Sequence, residues 1–461
     1  MASKSKQVKA QQGKKDARLK YWLIAIPSLA FFIKLIIMSN ITPVINYAGS
    51  LQGGGWLGAD GENYLNAMGG LLTGGFASTE HLLNYWPAGY PLLLWGLSKI
   101  SLSHLLWLIS LSQSAFYGYS SYYFVNQLKS TKLKPYLFTI ALILAANPTL
   151  SLSSLAVGYE SPIAACMLMI TGLIVKSQMN EVDRRFWIRV GAVGFFFALA
   201  AFMQPRWILT TLIVAVIWAL AHKSRKNQAL ILVGVLAIMA IAPITLIARN
   251  NAAGQGSVIS TNLGVTMRIG AGDETQGGYA HTGPDVPCDP VPPATTVTDN
   301  DVVKCVIKWY AGHPVKAVKL FINKGFFYWS PWSGPIVNGT MARNPWLKID
   351  PILNIAKGSQ QGHDLVYGVF GKFVSWVWML TCISLFFIGF FWLRSYKGVY
   401  STLAWLAFTP VVASWLVGMG TIGDHRFRLP TMSLSLALQV VGYYALRHRV
   451  KTGSFRVASE G

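Results

Sequence analysis

Residues 228–248 read QALILVGVLAIMAIAPITLIA, a stretch without a single charged side chain. A helix of this length spans the hydrocarbon core of a bilayer, which needs about 20 apolar residues. Nine further apolar runs lie on either side of it, at residues 21–39, 104–127, 135–151, 158–176, 187–203, 206–222, 366–393, 399–419 and 428–446. The sequence therefore predicts an all-α polytopic membrane protein with about ten transmembrane helices.

The composition agrees with that class. Of the 461 residues, 53% are hydrophobic and 12% are charged, whereas about 25% of the residues of an ordinary soluble domain are charged. The net charge of +22 would favour a nucleic-acid partner in a soluble protein. Here many Lys and Arg residues lie in short connections, and no basic stripe falls in a soluble segment, so we expect no nucleic-acid partner.

The basic connections predict the topology. They are the tail at 1–20 and the segments 129–134, 176–189, 222–226, 394–397 and 447–451. With ten spans all of them fall on one side of the membrane, which the positive-inside rule makes cytoplasmic. The first apolar run is longer than the core of a signal peptide and no small-residue cleavage site follows it, so we expect an uncleaved first helix.

Five segments follow from this topology. They are a basic cytoplasmic tail at 1–20, helices 1–7 within 21–248, a long exterior loop at 249–365, helices 8–10 within 366–446 and a cytoplasmic tail at 447–461. A first exterior loop, at 40–103, separates helices 1 and 2. Residues 86–100 are apolar but short, which predicts an interfacial or re-entrant helix, and residues 313–329 have the amphipathic pattern of a surface helix.

Two cysteines lie in the long exterior loop, Cys288 and Cys305, whereas Cys166 and Cys382 lie within apolar runs. Only the first pair is placed to bridge readily, and only in an oxidising compartment. Closing a loop of this size would stabilise the protein by roughly 3 kcal/mol. We predict this disulfide; two free exterior thiols are the alternative.

Asp60 lies in the string GWLGADGENY, about twenty residues beyond the first span. A carboxylate beside a membrane, in a loop rich in Gly and aromatic residues, suits a general base. Glu62 and Tyr64 in the same string, and Tyr85 in the string YWPAGYPLLLW, are candidate contacts for a substrate. The plain alternatives are a solvated loop acid and an aromatic anchor at the level of the lipid headgroups.

Charged residues also lie at the exterior ends of several spans. They are Glu160 in GYESP, Arg206 in QPRW, and His425, Arg426 and Arg428 in GDHRFRLP. Ionisable groups at membrane depth are costly and tend to pair or to serve a site. Exterior arginine runs against the positive-inside bias, and a phosphate is the natural reason for it because guanidinium binds phosphate bidentately. Snorkelling and pairing with an exterior acid are the alternatives.

The predicted surface helix carries Lys316, Lys319 and Lys324, which would bind lipid headgroups in general or one specific lipid phosphate. The sequence contains no HExxH string and no Cys/His cluster with metal spacing, so it predicts no metal site, although it leaves a need for a divalent metal open. It requires no cofactor, and without a Walker A string ATP is not expected as the energy source.

The ordered set of strings resembles a known family. ARNNAAGQGSVISTNLGVTMRIGAGDETQGGY at 248–279, GHPVKAVKLFINKGFFYW at 312–329 and GDHRFRLP at 423–430 follow an Asp in the first exterior loop. In this order they resemble bacterial GT-C superfamily glycosyltransferases, the group of the protein mannosyltransferases and the aminoarabinose transferase. The resemblance covers nearly the whole chain and rests on the ordered set rather than on one motif.

The resemblance implies a GT-C-like integral protein of a bacterial plasma membrane, with its active site facing the exterior or periplasm. It implies transfer of a sugar from a polyprenyl-phosphate donor to a glycan, lipid or protein acceptor on the non-cytoplasmic face, with inversion. The general base of the family falls on Asp60. The basic residues near the donor phosphate fall, by position, on Arg206, Lys324, Arg426 and Arg428.

The chain departs from the family in one string. The aminoarabinose transferase has Glu-Lys-Pro-Pro where this chain has Tyr85-Trp86-Pro87-Ala88, so a phosphate-binding Lys and a metal-ligand Glu are missing. A lipid-linked saccharide transporter or flippase and a non-catalytic membrane subunit are the competing interpretations. A transporter needs polar residues along a path through the bilayer, whereas Lys34 is the one clear charge deep in a predicted span.

Overall fold

Helices make up most of the structure, a computed structural model in which residues 2–46, 49–57, 60–273, 275, 277–278, 286–288, 298–329, 369–423 and 425–453 are described. Side chains are described in these ranges except at 2–15, 370–372, 374–375 and 425. The first nine helices are α1 (Ala2–Met38), α2 (Gly61–Gly74), α3 (Leu82–Tyr85), α4 (Gly89–Ser98), α5 (Leu105–Gln127), α6 (Leu137–Ala146), α7 (Pro148–Leu152), α8 (Glu160–Gln178) and α9 (Arg184–Met203). The helices that follow in the described ranges are α10 (Trp207–Leu220), α11 (Arg225–Met239), α12 (Ile241–Ala252), α13 (Leu263–Ile269), α14 (Asp299–Gly312), α15 (Pro314–Trp329), α16 (Val369–Arg394), α17 (Val399–Gly420) and α18 (Leu429–Thr452).

The predicted class, an all-α polytopic membrane protein, is confirmed, but the number of full spans is lower than predicted. Among the described residues, seven helical stretches are long and apolar enough to cross a membrane, and a bent pair makes an eighth. α5 has 23 residues but carries Ser, Gln and Tyr side chains that are buried in the bundle. α10 has only 14 residues, about 21 Å of helix. The predicted count of about ten therefore includes one polar helix and one short helix.

The bent pair is α6 and α7, for which the sequence predicted one span at 135–151. The two helical stretches meet at a break with an angle of 55°. Pro148 disfavours a helical conformation of the residue before it, and Asn147 caps α7 by accepting a hydrogen bond from the Leu150 amide at 2.9 Å. The break leaves a groove between this pair and α1.

The central element of the bundle is α8. All residues from 153 to 175 are buried, and α8 packs against α5, α9, α17 and α18. A helix that is apolar on every face belongs in the interior of a bundle. The whole core therefore fixes the position of Glu160, the first residue of α8.

α16 and α18 cross closely because glycines lie at their contact. A Cβ at Gly389 would lie 2.0 Å from the carbonyl oxygen of Leu438, and a Cβ at Gly442 would lie 2.1 Å from that of Leu385. Small residues at such a crossing are typical of membrane helices. The crossing orients α18 and with it the 3₁₀ turn His425–Arg428 that precedes it.

The two predicted exterior loops lie at the same end of the bundle. The amide of Thr261 donates to the carbonyl oxygen of Asn84 at 3.0 Å, which joins the second loop to the first. At the opposite end, Lys134 pairs with Asp16 at 2.6 Å. We call the end that carries both loops the Asp60 end.

Short elements build the Asp60 end. An antiparallel hairpin pairs β1 (Val44–Asn46) with β2 (Gly49–Leu51). The predicted short helix at 86–100 is present as α4, packed on α2 and α9. The predicted disulfide is confirmed, since Cys288 and Cys305 are bonded.

The predicted surface helix at 313–329 is present as α15, but one of its lysines is placed differently from the expectation. Val315 and Val318 are exposed, at 83% and 60%, which leaves an apolar face uncovered by protein. Lys316 is half-exposed and pairs with Asp273 at 2.8 Å. Lys324 instead is 1% exposed, so it is an interior side chain and not one of a row of surface lysines.

Candidate active site

Arg426 lies between two carboxylates at the Asp60 end. Its Nη2 atom is 2.7 Å from Oδ2 of Asp60, and its Nε atom is 3.5 Å from Oε1 of Glu160. The side chains are shielded from solvent, with exposed fractions of 11% for Arg426, 19% for Asp60 and 4% for Glu160. Three residues predicted separately, from three distant segments, therefore form one cluster, which we call the Asp60–Arg426–Glu160 cluster.

Asp60 occupies the N-cap position of α2 but makes no side-chain capping hydrogen bond. An Asp at this position usually accepts from the first-turn amides, and losing such a cap costs about 1 kcal/mol. Here Oδ2 is bonded to Arg426 instead, and Oδ1 bonds to none of the described residues. The carboxylate therefore forgoes local helix stabilisation in favour of the ion pair.

Glu160 is fixed by the backbone turn that precedes α8. The amide of Gly158 donates to the hydroxyl of Tyr90 at 2.9 Å. A Cβ at Gly158 would lie 2.6 Å from Oε2 of Glu160, so a larger residue at this position would require the carboxylate to shift. The turn thus presents Glu160 towards Arg426.

A backbone pairing joins the Asp60 loop to the Glu160 turn. The amide of Trp56 donates to the carbonyl oxygen of Leu155 at 2.9 Å, and the amide of Val157 donates to that of Trp56 at 2.8 Å. These bonds form a parallel bridge between residues 56 and 156. The two carboxylates are therefore positioned by one shared piece of backbone on either side of Arg426.

Aromatic rings form the wall beneath the cluster. The ring of Tyr64 contacts those of Tyr90, Tyr159 and Trp86 edge-on, with centroids 5.2, 6.1 and 6.2 Å apart. Burial is the main cause that raises the pKa of Tyr64 and the pKa of Tyr159 above the ordinary value. Their hydroxyls therefore stay protonated at neutral pH and serve as neutral hydrogen-bond groups.

Arg206 approaches the same wall from the start of α10. Its Nη2 atom donates to the hydroxyl of Tyr159 at 3.3 Å, and its guanidinium carbon lies 4.5 Å from the ring centroid of Phe427. It lines a narrow slot between α10 and α17 that also includes Thr210, Ser414 and Thr421. The slot measures about 10 Å³, about the space of one water molecule.

Arg428 and Lys324 bind backbone groups close to the cluster. Nη1 of Arg428 donates to the carbonyl oxygen of Trp329 at 2.9 Å. Nζ of Lys324 donates to the hydroxyl of Tyr310 at 2.8 Å and to the carbonyl oxygen of Thr421 at 2.6 Å. Burial lowers the pKa of the Lys324 amine to about 7. Both cations therefore hold α15 against the ends of α17 and α18.

Helix N-termini surround the cluster. Asp60, Arg206 and Arg428 directly precede the first residues of α2, α10 and α18, and Glu160 is the first residue of α8. The N-terminus of a helix carries about half a positive charge and unsatisfied amide donors. The Asp60 end therefore combines arginines with several dipoles that favour an anion.

Tyr85 belongs to a second side of the site. Burial is the main cause that raises the pKa of Tyr85. Arg268 lowers this pKa, whereas Asp299 and Asp60 raise it. Asp299 accepts a hydrogen bond from the amide of Gly264 at 2.7 Å. Arg268 and Asp299, from the long loop, thus lie in electrostatic range of Tyr85, although the sequence pattern did not single them out.

Two predicted site residues remain, Glu62 and His425. Glu62 is exposed on the first turn of α2, and the side chain of His425 is outside the described residues. Within the described ranges, no group of three or more His, Cys, Asp and Glu side chains is arranged to hold a metal ion. Among the described residues, Asp60 and Glu160 both pair with Arg426.

Comparison with known proteins found a likeness to a solved structure. No family model matches the chain, and no curated protein matches it. Among solved structures, the chain is similar to the archaeal oligosaccharyltransferase AglB from Archaeoglobus fulgidus, in complex with an inhibitory peptide and a dolichol-phosphate, with a TM-score of 0.45 and 10% identity. The match covers 96% of this chain and 52% of that one, so this chain spans about half the length of the structure it matches.

Proposed function

We propose that the protein is a GT-C-type membrane glycosyltransferase. It would move a sugar from a polyprenyl-phosphate donor to a glycan, lipid or protein acceptor on the non-cytoplasmic face, with inversion. The observation that carries the proposal is the Asp60–Arg426–Glu160 cluster, which joins a carboxylate with an open oxygen to a guanidinium at the Asp60 end. The ordered strings that resemble the GT-C superfamily support the same assignment.

Asp60 is the general base of this proposal. Arg426 holds Oδ2 at 2.7 Å and so orients the carboxylate, while Oδ1 accepts the proton of the acceptor. The deprotonated acceptor attacks the anomeric carbon from the face opposite the phosphate, the bond to the phosphate oxygen breaks, and the configuration inverts. A positioned base of this kind contributes about 10²–10⁴ in rate.

The cations stabilise the leaving phosphate. A sugar on a lipid phosphate is already activated, so the enzyme needs only to hold the negative charge that develops on the departing phosphate. Arg426 and Arg206 lie next to Asp60 and Tyr159, and the helix N-termini around them add to the same field. These features support a phosphate site that adjoins the base.

Lys324 and Arg428 take part in the phosphate site by the same proposal. Both donate to carbonyl oxygens of the junction at which α15, α17 and α18 meet. A phosphate oxygen is a stronger acceptor for a cation than a neutral carbonyl, so either side chain can exchange its partner when the donor enters. The phosphate would also favour the protonated form of Lys324.

Glu160 completes the cluster as a positioning residue. It keeps Arg426 beside Asp60 through the contact of 3.5 Å to Nε. The Glu160 side chain is only 4% exposed, so an acceptor has little access to it. The base is therefore placed on Asp60, the more exposed of the two carboxylates.

The test is transfer of labelled sugar from a polyprenyl-phosphate hexose in proteoliposomes, with a membrane extract as the source of acceptor. Transfer into a new product, dependent on the protein, is the expected result, and NMR of the product should show the inverted anomeric configuration. Flux of labelled lipid-linked sugar across the vesicle without any transfer would favour the transporter. Neither transfer nor flux, for any donor sugar tested, would favour the non-catalytic subunit.

A further inference from the structure

Lys34 is a buried cation in a membrane-spanning helix that the proposed function does not use. Its side chain is 3% exposed. It lies four residues before the end of α1 at Met38, about 6 Å along the helix. The ammonium is therefore located just inside the membrane at the Asp60 end.

The surroundings of Lys34 are polar but carry no negative charge. Nζ donates to Oγ of Ser154 at 2.9 Å, Ser154 is within 2.9 Å of Oγ of Ser114, and Nζ lies 5.2 Å from the ring centroid of Tyr117. No Asp or Glu of the described residues pairs with it. Charged groups inside a membrane are normally paired or functional, so this ammonium is suited to an anionic ligand.

A groove leads from the lipid side of α1 to Lys34. It lies between α1 and the broken pair α6–α7 and has a volume of about 390 Å³. Its apolar walls include Ile33, Leu142 and Leu152, and its polar part consists of Lys34 and Ser151. The groove exists because the break at Pro148 turns α7 away from the line of α6.

We propose that this α1 groove binds an anionic phospholipid, with one acyl chain along the apolar walls and the phosphate on Lys34. Lys34 lies four residues from the end of α1, and a lysine side chain in this position can reach towards the level of the lipid headgroups. An ammonium has three donors, one of which goes to Ser154. The charge and the apolar walls of the groove together favour a lipid with an anionic phosphate over a neutral lipid.

The experiment is native mass spectrometry of the full-length protein with palmitoyl-oleoyl phosphatidylglycerol or phosphatidylcholine added. We expect the wild type to retain one phosphatidylglycerol with roughly fivefold preference, the value of one lysine–phosphate contact near a membrane. Lys34→Met should abolish the preference, and the matched control Lys99→Met, on an exposed lysine beside Trp95, should keep it. A Lys34→Met variant with the wild-type preference would overturn the proposal.

A second variant keeps the proposal testable if Lys34→Met fails to fold. Ala146 lines the groove and is exposed, so Ala146→Phe should fill it without disturbing the core. We expect it to lose retention of phosphatidylglycerol while Lys34 stays in place. Unchanged retention by Ala146→Phe, or selective retention of a polyprenyl phosphate in place of phosphatidylglycerol, would show that the groove does not hold this lipid. Either outcome leaves the sugar-transfer assay unaffected.

Discussion

Replacing Arg426 by Gln removes the positive charge from between two carboxylates. The contacts of 2.7 Å to Asp60 and 3.5 Å to Glu160 are lost. The Glu160 carboxylate, which is only 4% exposed, then stays buried with no cation beside it. Breaking a buried pair by removing one partner costs about 3–5 kcal/mol. Because Asp60 is 19% exposed, solvent partly stabilises its charge. We therefore expect the free energy of unfolding to fall by about 3 kcal/mol, the lower end of this range.

The assay is reversible unfolding in mixed detergent micelles, with the free energy of unfolding measured for single and double variants. If the unpaired carboxylate is the cause of the loss, adding Glu160→Gln to Arg426→Gln should recover a good part of it, since a neutral amide then replaces the buried carboxylate of Glu160. The matched control is Lys316→Gln, which breaks the half-exposed pair with Asp273 and should cost less than about 1 kcal/mol. A double variant no more stable than Arg426→Gln, or an Arg426→Gln loss equal to the control, would refute the reasoning.

Three further predictions follow from the same geometry. Gly158→Ala places a Cβ 2.6 Å from Oε2 of Glu160 and should lower sugar transfer at least tenfold. The matched control Gly96→Ala, on a helical glycine with open space around it, should leave transfer within twofold; equal effects would contradict the role of Gly158. The pKa of Lys324 is about 7 in the folded protein, below the ordinary 10.5, so the unfolded state binds the extra proton between these values and the free energy of unfolding should rise with pH from about 7 to 10.5. Lys324→Met should flatten that rise, and the same pH dependence in both proteins would exclude Lys324 as its origin. Labelling from outside, with Cys288 and Cys305 replaced, should reach a cysteine introduced at Thr296 and miss one at Ser5; the reverse pattern would overturn the orientation of the Asp60 end.

Much of the fold was predictable because membrane spans depend on local composition. The apolar runs gave helices at the expected places, and the break at Asn147–Pro148 was encoded by a capping residue followed by proline. The sequence prediction still counted 135–151 as a single span, because hydropathy alone does not register a bend. The disulfide was predictable since Cys288 and Cys305 shared a polar loop.

The candidate site was predictable in its parts but not in its connections. Asp60, Glu160 and Arg426 each stood out as a charge at the end of an apolar run. Their pairing depends on α8 and α18 meeting at one end of the bundle, which is a tertiary fact. For the same reason Lys324, placed on a surface by its amphipathic pattern, proved to be buried beside Tyr310.

Some residues near the cluster can be recognised only from their burial in the structure. Tyr90 and Tyr159 were indistinguishable from aromatic anchors at the headgroup level, yet they are buried beneath the cluster and bond Gly158 and Arg206. Arg268 lay within a quoted string without any local signal. The sequence shows Lys34 as a charge within a predicted span, and only the structure shows the groove beside it.

The most direct test of the central claim is the rate of sugar transfer by Asp60→Asn, measured with the polyprenyl-phosphate donor. Asn keeps the shape of the side chain and removes its basicity, so we expect a loss of about 10²–10⁴ in rate with donor binding and folding retained. Glu62→Gln, two residues away and exposed, is the matched control and should transfer at close to the wild-type rate. Near-wild-type transfer by Asp60→Asn would contradict the account, and a dead Glu62→Gln beside it would move the role of the base to Glu62.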